Sequence, residues 1–156
     1  GSTYAENAGK KAREYSQASG LFALADDSGL EVEALDGAPG LYSARYAPLP
    51  NATDADRRAL LLKNLRGKPQ PWVAHFHATV AIGTPDGQVV FADGNCYGEI
   101  IPIERGDNGF GYDALFFIPE MNRTMAELSM DEKDRLSHRA LAVKKAKGRL
   151  SEILGI

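Results

Sequence analysis

The most constraining feature of this sequence is a run of alternating side chains over residues 72–83, followed by a turn signal. Apolar and polar residues take turns along the run: Ala74, Phe76, Ala78, Val80 and Ile82 alternate with His75, His77 and Thr79. A period of two is typical of a strand with one buried face. Pro85-Asp86-Gly87 supplies a turn, and a second apolar segment follows it. The pattern predicts a β-hairpin over residues 72–103.

Helix signals precede and follow this hairpin. The segment 3–20 predicts a helix, with Thr3 and Glu6 as a capping box at its start and Gly20 at its end. A second helix is expected over residues 53–67, and Ser129 with Glu132 predicts a short third one. A final amphipathic helix is expected from about Ser137. Its inward positions are predicted to be Ala140, Val143, Ala146, Leu150 and Ile153.

Two further strands complete the predicted fold. Residues 21–26, LFALAD, predict a short strand buried on both faces, and residues 114–119 predict another strand. The Gly- and Pro-rich segment 29–51 predicts mostly loop. Together these elements indicate an α/β protein with a mixed, twisted sheet flanked by helices. The length of 156 residues indicates a single domain over residues 1–156.

Composition narrows the classes of function. The sequence is 44% hydrophobic, as in an ordinary globular protein, and its net charge of −3 argues against a general nucleic-acid or membrane-surface binder. No apolar run has the length of a membrane span. The single cysteine, Cys96, cannot form an internal disulfide, so a reducing, cytoplasmic location is expected.

Asp26 and Asp27 are the first candidate site residues. They follow an apolar run and precede Ser28-Gly29. Successive side chains of an extended segment point to opposite faces, so one acid is expected in the site and the other in a turn or capping role. An aspartate at a strand end is a common ligand for a hard cation such as Mg²⁺. The alternative is that both are solvated turn acids.

Two other stretches could carry chemistry. In residues 105–117, glycines flank Phe110, which could stack on a base while the backbone approaches a ligand closely. The alternative is a flexible loop whose aromatic residues enter the core. Lys133, His138 and Arg139 cluster near a predicted helix start, where free N–H groups favour anions. His75 and His77 share a strand face, but half-exposed strand histidines are favoured over a metal pair.

Four stretches occur together in the order and spacing of one family: TYAENAGKKA, LADDSGLEVEALDGAPGLYSARYA, NGFGYDALFF and AELSMDEKDRLSHRALA. From Thr3 to the last helix, they resemble the inosine triphosphate pyrophosphatase family, which acts on non-canonical purine nucleoside triphosphates. The resemblance implies the fold of that family and the hydrolysis of ITP, dITP and XTP to the monophosphate and pyrophosphate. It also implies Mg²⁺ as cofactor, a purine nucleoside triphosphate as substrate, and a homodimer.

The resemblance assigns roles to individual residues. Asp27 resembles the family's metal-associated carboxylate and general base, Ser28 lies beside the substrate, and Lys11 matches a lysine directed toward the phosphates. The residues matched to substrate recognition are Phe110, Gly111, Tyr112, Asp113, Lys133, His138 and Arg139. Phe110 would stack on the base, and the lysine and the His-Arg pair would recognise the purine 6-oxo group. Adenine carries an amino group there and would leave those donors unpaired.

The family's N-terminal strand and phosphate-binding loop have no counterpart in this sequence, which begins Gly1-Ser2-Thr3. The resemblance therefore implies an N-terminally shortened form of the family fold. Two alternatives to an active enzyme stay open. One is a catalytically impaired relative that binds purine nucleotides. The other is a dimerising interaction protein, because loss of a strand would expose a sheet edge.

Overall fold

The computed structural model describes residues 1–155, and within them the chain forms four α-helices and five β-strands. The helices are α1 (Tyr4–Ser19), α2 (Asp54–Leu65), α3 (Met130–Leu136) and α4 (His138–Leu154). The strands are β1 (Ala23–Val32), β2 (Trp72–Gly83), β3 (Val89–Ile100), β4 (Phe116–Ile118) and β5 (Arg123–Thr124). The predicted α/β class is confirmed.

The strands form one sheet in the order β1-β2-β3-β4-β5. Between β2 and β3, Thr79 bonds to Asp93 and His77 to Asn95, so residue numbers rise along one strand as they fall along the other. The pairs β3–β4 and β4–β5 are also antiparallel. The predicted hairpin is therefore confirmed. The fold mixes helices with strands, but the five strands themselves run antiparallel.

The chain forms two compact units. The first comprises Gly1–Ser28, His77–Asn95 and the chain from Arg135 onward, and the second comprises Gly29–Phe76 and Cys96–Asp134. The single domain expected over residues 1–156 stays a prediction.

The first unit has small, closely packed residues on both faces of its strands. On one face α4 contributes Ala142 and Ala146, which pack on a cluster formed by Ala78, Val80, Ile82 and Ala92. On the other face α1 packs Ala8 and Ala12 against Ala81. Alanine side chains allow helix and strand backbones to approach closely. The strand segments of this unit thus lie between α1 and α4.

The second unit has larger core residues. Leu61 and Leu65 of α2 are fully buried, as are Leu115 and Phe116 at the start of β4. The rings of Phe76 and Phe116 lie 4.6 Å apart at a tilt of 46°, a favourable aromatic arrangement. This core supports the glycine-rich loop that precedes β4.

The strand predicted over residues 21–26 is displaced toward the C-terminus. β1 runs from Ala23 through Ser28 to Val32, and Leu21 and Leu24 are 67% and 57% exposed. The predicted burial of this run on both faces is therefore wrong. The sheet continues past the apolar residues, as the contact between Glu31 and His75 of β2 shows. Both acids consequently lie within an ordered strand instead of a turn.

The predicted helix starts are confirmed, but the capping box predicted for Thr3 and Glu6 is wrong in its second half. Thr3 and Thr53 accept hydrogen bonds from the main-chain nitrogens of Glu6 and Asp56, and Ser129 forms the expected box with Glu132. Glu6 itself bonds to Ser2 instead of completing a box with Thr3.

The inward face predicted for α4 is partly wrong. Val143 and Ile153 are 44% and 42% exposed, whereas Ala142 and Ala146 are buried and Leu150 packs against the same cluster. The contact row follows a spacing of four residues, because small alanines let α4 lie close against the sheet along a single row.

Candidate active site

In the first unit, α1 and β1 place Asp27 beside an asparagine and a lysine. Asn7 Nδ2 donates to Asp27 Oδ2 at 2.8 Å, and Lys11 Nζ lies 3.8 Å from Asp27 Oδ1. Asn7 and Lys11 are four residues apart and so share one face of α1. Lys11 also donates to the main-chain oxygen of Asp26 at 2.7 Å. The Asp27 carboxylate is thus oriented, with a cation next to it.

The neighbouring acid has a different partner. Arg139 Nε donates to Asp26 Oδ2 at 3.0 Å, and Arg139 Nη2 donates to Ser28 Oγ at 3.1 Å. Because side chains alternate along a strand, Asp26 and Ser28 share one face and Asp27 points to the other. The two acids therefore have distinct environments, as the alternation predicts.

His138 and Arg139 occupy the first turn of α4. Ser137 caps this helix, since its Oγ accepts a hydrogen bond from the main-chain nitrogen of Ala140 at 3.3 Å. Burial, followed by the positive charge of Arg139, lowers the pKa of His138 from 6.5 to about 4, against the opposing effect of Asp26. His138 is therefore neutral at pH 7.

Two features of this site were not evident from the sequence patterns: Asn7 and a polar network around His77. His77 Nδ1 lies 2.7 Å from Asn95 Oδ1, its Nε2 lies 3.0 Å from Thr79 Oγ1, and the Tyr4 ring lies 4.8 Å from the imidazole ring. Asn7 could have been found from its spacing to Lys11. The network needed the register between β2 and β3, which sequence alone does not supply.

In the second unit, a tight turn presents Phe110. The main-chain nitrogen of Asp113 donates to the oxygen of Phe110 at 3.2 Å, and Gly111 within the turn has φ +61°. The Phe110 side chain is 64% exposed. An exposed aromatic ring on a fixed turn offers a flat surface to a planar ligand.

Lys133 and Asp113 form a largely buried ion pair that stabilises this turn. Lys133 Nζ donates to Asp113 Oδ2 at 3.0 Å, and only 12% and 13% of the two side chains is exposed. Lys133 Nζ also lies 3.4 Å from the main-chain oxygen of Asn108. A Cβ at Gly109 would collide with this ion pair, so the loop requires glycine there.

Tyr112 has a structural position in the same turn. Its side chain is 4% exposed and its hydroxyl donates to the main-chain oxygen of Ser43 at 2.7 Å. Burial raises the pKa of this phenol well above its ordinary value of 10. Tyr112 therefore anchors the loop, while Phe110 is the aromatic residue that the loop exposes.

The structure thus gathers the residues expected from sequence into two groups, one in each unit. The first unit contains Lys11, Asp27, Ser28, His138 and Arg139, and the second contains Phe110, Gly111, Tyr112, Asp113 and Lys133.

Asp27 is suited to bind a divalent cation together with a phosphorylated substrate. Among residues 1–155 there is no cluster of three or more His, Cys, Asp or Glu side chains that could hold a metal ion. Magnesium is commonly bound by one or two carboxylates, with phosphate oxygens and water as its other ligands. Asn7 uses one of the roughly four lone-pair sites of the Asp27 carboxylate, so sites for a cation remain. The donor set fits a cation that arrives with its substrate.

No helix in the described part of the chain combines the length and apolar character that a membrane span requires.

A family model and the sequences of known proteins indicate the same family for this chain. Residues 1–149 match the model of the Ham1 family. The dITP/XTP pyrophosphatase of Desulforamulus reducens is 50% identical over 147 residues, which cover 94% of this chain and 73% of that protein. The dITP/XTP pyrophosphatase of Listeria monocytogenes serotype 4b is 47% identical over 99% of this chain and 76% of its own length.

Solved structures show the same similarity. The structure of a HAM1 protein from Coxiella burnetii has a TM-score of 0.90 at 43% identity, covering 97% of this chain and 78% of that one. The Staphylococcus aureus Ham1 protein has a TM-score of 0.90 at 39% identity, with the same coverage.

Proposed function

Because this chain belongs to the Ham1 family, we propose that it hydrolyses non-canonical purine nucleoside triphosphates, such as dITP and XTP, to the nucleoside monophosphate and pyrophosphate. The structural observation that carries this proposal is the Asp27 carboxylate, which Asn7 orients and Lys11 accompanies. A fixed carboxylate next to a cation is the pairing that hydrolysis of a polyphosphate requires.

The proposed reaction is an attack of water on the α-phosphorus. A new bond forms between the water oxygen and that phosphorus, the bond to the bridging oxygen of the β-phosphate breaks, and pyrophosphate leaves with the bonding electrons. Asp27 accepts a proton from the attacking water. Lys11, whose side chain is 48% exposed, offsets negative charge on the phosphates.

Mg²⁺ is the proposed cofactor, with Asp27 as its ligand from the protein. When bound, it would neutralise phosphate charge and draw electron density from the reacting phosphoryl group. The support for this proposal is the chemistry of the donor, a carboxylate oxygen in a preset orientation.

Recognition of the base is proposed for both loop and helix residues. The exposed ring of Phe110 is suited to stack on a purine, and Lys133 with Asp113 keeps its turn in place. His138 and Arg139 are proposed to donate to an acceptor at purine C6, with Ser28 beside the substrate. His138 suits this role because burial keeps its imidazole neutral at pH 7, and a neutral imidazole carries one ring N–H.

Pyrophosphate release tests the proposal directly. The full chain is incubated with Mg²⁺ and ITP, dITP or XTP, and with ATP and GTP for comparison. Asp27→Asn keeps the shape of the side chain and removes the base, so we expect its rate to fall by about 10²–10⁴-fold. Lys63→Ala, an exposed substitution on α2, serves as the unaffected control.

Two outcomes would contradict the proposal. Release of pyrophosphate from none of the nucleotides would exclude it, and binding of IMP without turnover would favour a relative that only binds nucleotides. An Asp27→Asn variant as active as the native chain would remove the role assigned to Asp27. A homodimer and a cytoplasmic location stay predictions; sedimentation of the full chain tests the first.

A further inference from the structure

Two residues of α2 bind the peptide groups on both sides of Gly111, next to the exposed Phe110. Asp54 Oδ2 accepts a hydrogen bond from the Gly111 nitrogen at 2.7 Å, and Arg58 Nη1 donates to the Gly111 oxygen at 2.8 Å. Their spacing of four residues puts both side chains on one face of α2. We call this pair, Asp54 and Arg58, the α2 clamp.

The α2 clamp is itself held in place. Asp54 Oδ1 accepts from Arg57 Nη1 at 2.7 Å, and Arg58 Nε donates to Glu104 Oε1 at 2.8 Å. The Arg58 side chain is only 17% exposed. Hydrogen bonds with one charged partner are about twice as strong as neutral ones, so both contacts to Gly111 are of the stronger kind.

The first turn of α2 fixes the direction of these side chains. Thr53 and Asp56 form a complete capping box, which begins the helix one residue before Asp54. The helix register then determines where Asp54 and Arg58 reach the loop. Gly111 has φ +61°, a conformation that a non-glycine residue rarely adopts. The α2 clamp therefore holds the loop at a glycine whose backbone conformation other residues rarely adopt.

We propose that Asp54 and Arg58 are positioning residues for purine-nucleotide recognition, and that they act by holding Gly111 so that the Phe110 ring stays in a ligand-ready place. The inference rests on the function proposed above. A loop ordered before the ligand arrives loses less conformational entropy on binding, which strengthens binding without altering the chemical step. The α2 clamp should thus affect KM and leave kcat nearly unchanged.

The experiment compares Arg58→Ala with Arg58→Lys, Glu104→Gln and the control Lys63→Ala in the full chain. Hydrogen exchange of the Gly111 amide, followed by NMR, reports the loop directly, and steady-state kinetics with ITP and Mg²⁺ report recognition. We expect Arg58→Ala to speed Gly111 exchange and to raise KM, each by about tenfold, with kcat within about twofold of the native value. Glu104→Gln keeps an acceptor for Arg58 and should stay close to the native chain.

The Arg58→Lys variant distinguishes the effect of holding Gly111 in position from the effect of the positive charge. A lysine keeps the positive charge but lacks the fork that reaches Gly111 and Glu104 together, so we expect an intermediate KM. A thermal melt of each variant identifies any that fail to fold. If Arg58→Ala unfolds, Arg58→Lys carries the comparison.

The results distinguish failure of this inference from failure of the proposed function. Unchanged Gly111 exchange in the Arg58 variants overturns the inference, whatever the activity. Faster exchange with unchanged KM overturns it too, and so does a fall in kcat alone. If the native chain releases no pyrophosphate, the proposed function fails, and calorimetric binding of IMP replaces KM. Absence of IMP binding then overturns this inference as well.

Discussion

Asp26 and Asp27 are adjacent in the chain, yet different helices bind their carboxylates. Asp27 contacts Asn7 and Lys11 of α1, whereas Asp26 contacts Arg139 of α4. Arg139 also lowers the pKa of its neighbour His138, so a residue that bonds to one acid helps to keep the adjacent imidazole neutral. Arg139 thus both orients the Asp26 carboxylate and lowers the pKa of His138.

The low pKa of His138 predicts a loss of stability in acid. The folded pKa is about 4, below the ordinary value of 6.5, so the unfolded chain binds the proton more tightly. Stability from this group is complete above about pH 6.5 and is lost as pH falls toward 4, by about 3 kcal/mol in total. Urea unfolding at pH 7, 5.5 and 4 measures this loss.

The variant His138→Gln isolates this effect from the titration of carboxylates. We expect the free energy of unfolding of this variant to fall less steeply between pH 6.5 and 4 than that of the native chain. His75→Gln is the matched control, because it removes a different strand imidazole, whose Nε2 lies 3.3 Å from a carboxylate oxygen of Glu31. Equal slopes for His138→Gln and the native chain would show that the imidazole is not desolvated.

At the scale of elements, β3 and α4 approach each other closely in the first unit. A Cβ at Gly94 would collide with the main-chain oxygen of His138 and with the main-chain nitrogen of Ala142. The absence of a side chain at Gly94 therefore lets the first turn of α4 rest directly on the strand. This contact determines how far His138 and Arg139 lie from the β3 backbone.

Two glycine substitutions should have opposite effects on stability. Gly94→Ala forces α4 away from β3 and should lower the free energy of unfolding by about 1–3 kcal/mol. Gly148→Ala lies on the same helix, where an added Cβ meets nothing within 4 Å, and should raise it by about 0.5–1 kcal/mol. Urea titration of both variants at pH 7 makes the comparison. A neutral Gly94→Ala variant would mean that α4 shifts without cost.

Features that depend on near neighbours in the chain were predictable, and features that depend on distant ones were not. The caps at Thr53 and Ser129 were predictable because each involves residues three apart. The course of β1 was not, since pairing with β2 carries the strand beyond its apolar residues. The contacts of Asp54 and Arg58 were not predictable because both residues bind Gly111, which lies more than fifty residues away in the chain.

For the whole molecule, the chemistry and the fold should depend differently on divalent cations. The packed cores of both units are apolar, and residues 1–155 contain no cluster of three metal-binding side chains. Because these cores are apolar, we expect the fold to form without a metal, whereas the proposed reaction requires one.

Removal of divalent cations with EDTA should abolish pyrophosphate release and leave Tm unchanged. Added Mg²⁺ should restore the rate, and it should raise Tm appreciably only when a nucleotide is also present, because ligand that binds only the native state stabilises it. Rates and thermal melts on the same samples check this. A large fall in Tm with EDTA alone would point to a structural metal.

The capped start of α4 has a consequence for how this protein can change in length. Ser137 begins the helix immediately before His138 and Arg139, and Ala142 seats it on the sheet one turn later. Inserting one residue between Arg139 and Ala142 would rotate the preceding side chains by about 100° relative to Ala142 and turn Arg139 away from Asp26. A change of length at this junction should therefore cost the Arg139–Asp26 contact, which the same change in an exposed turn would not disturb.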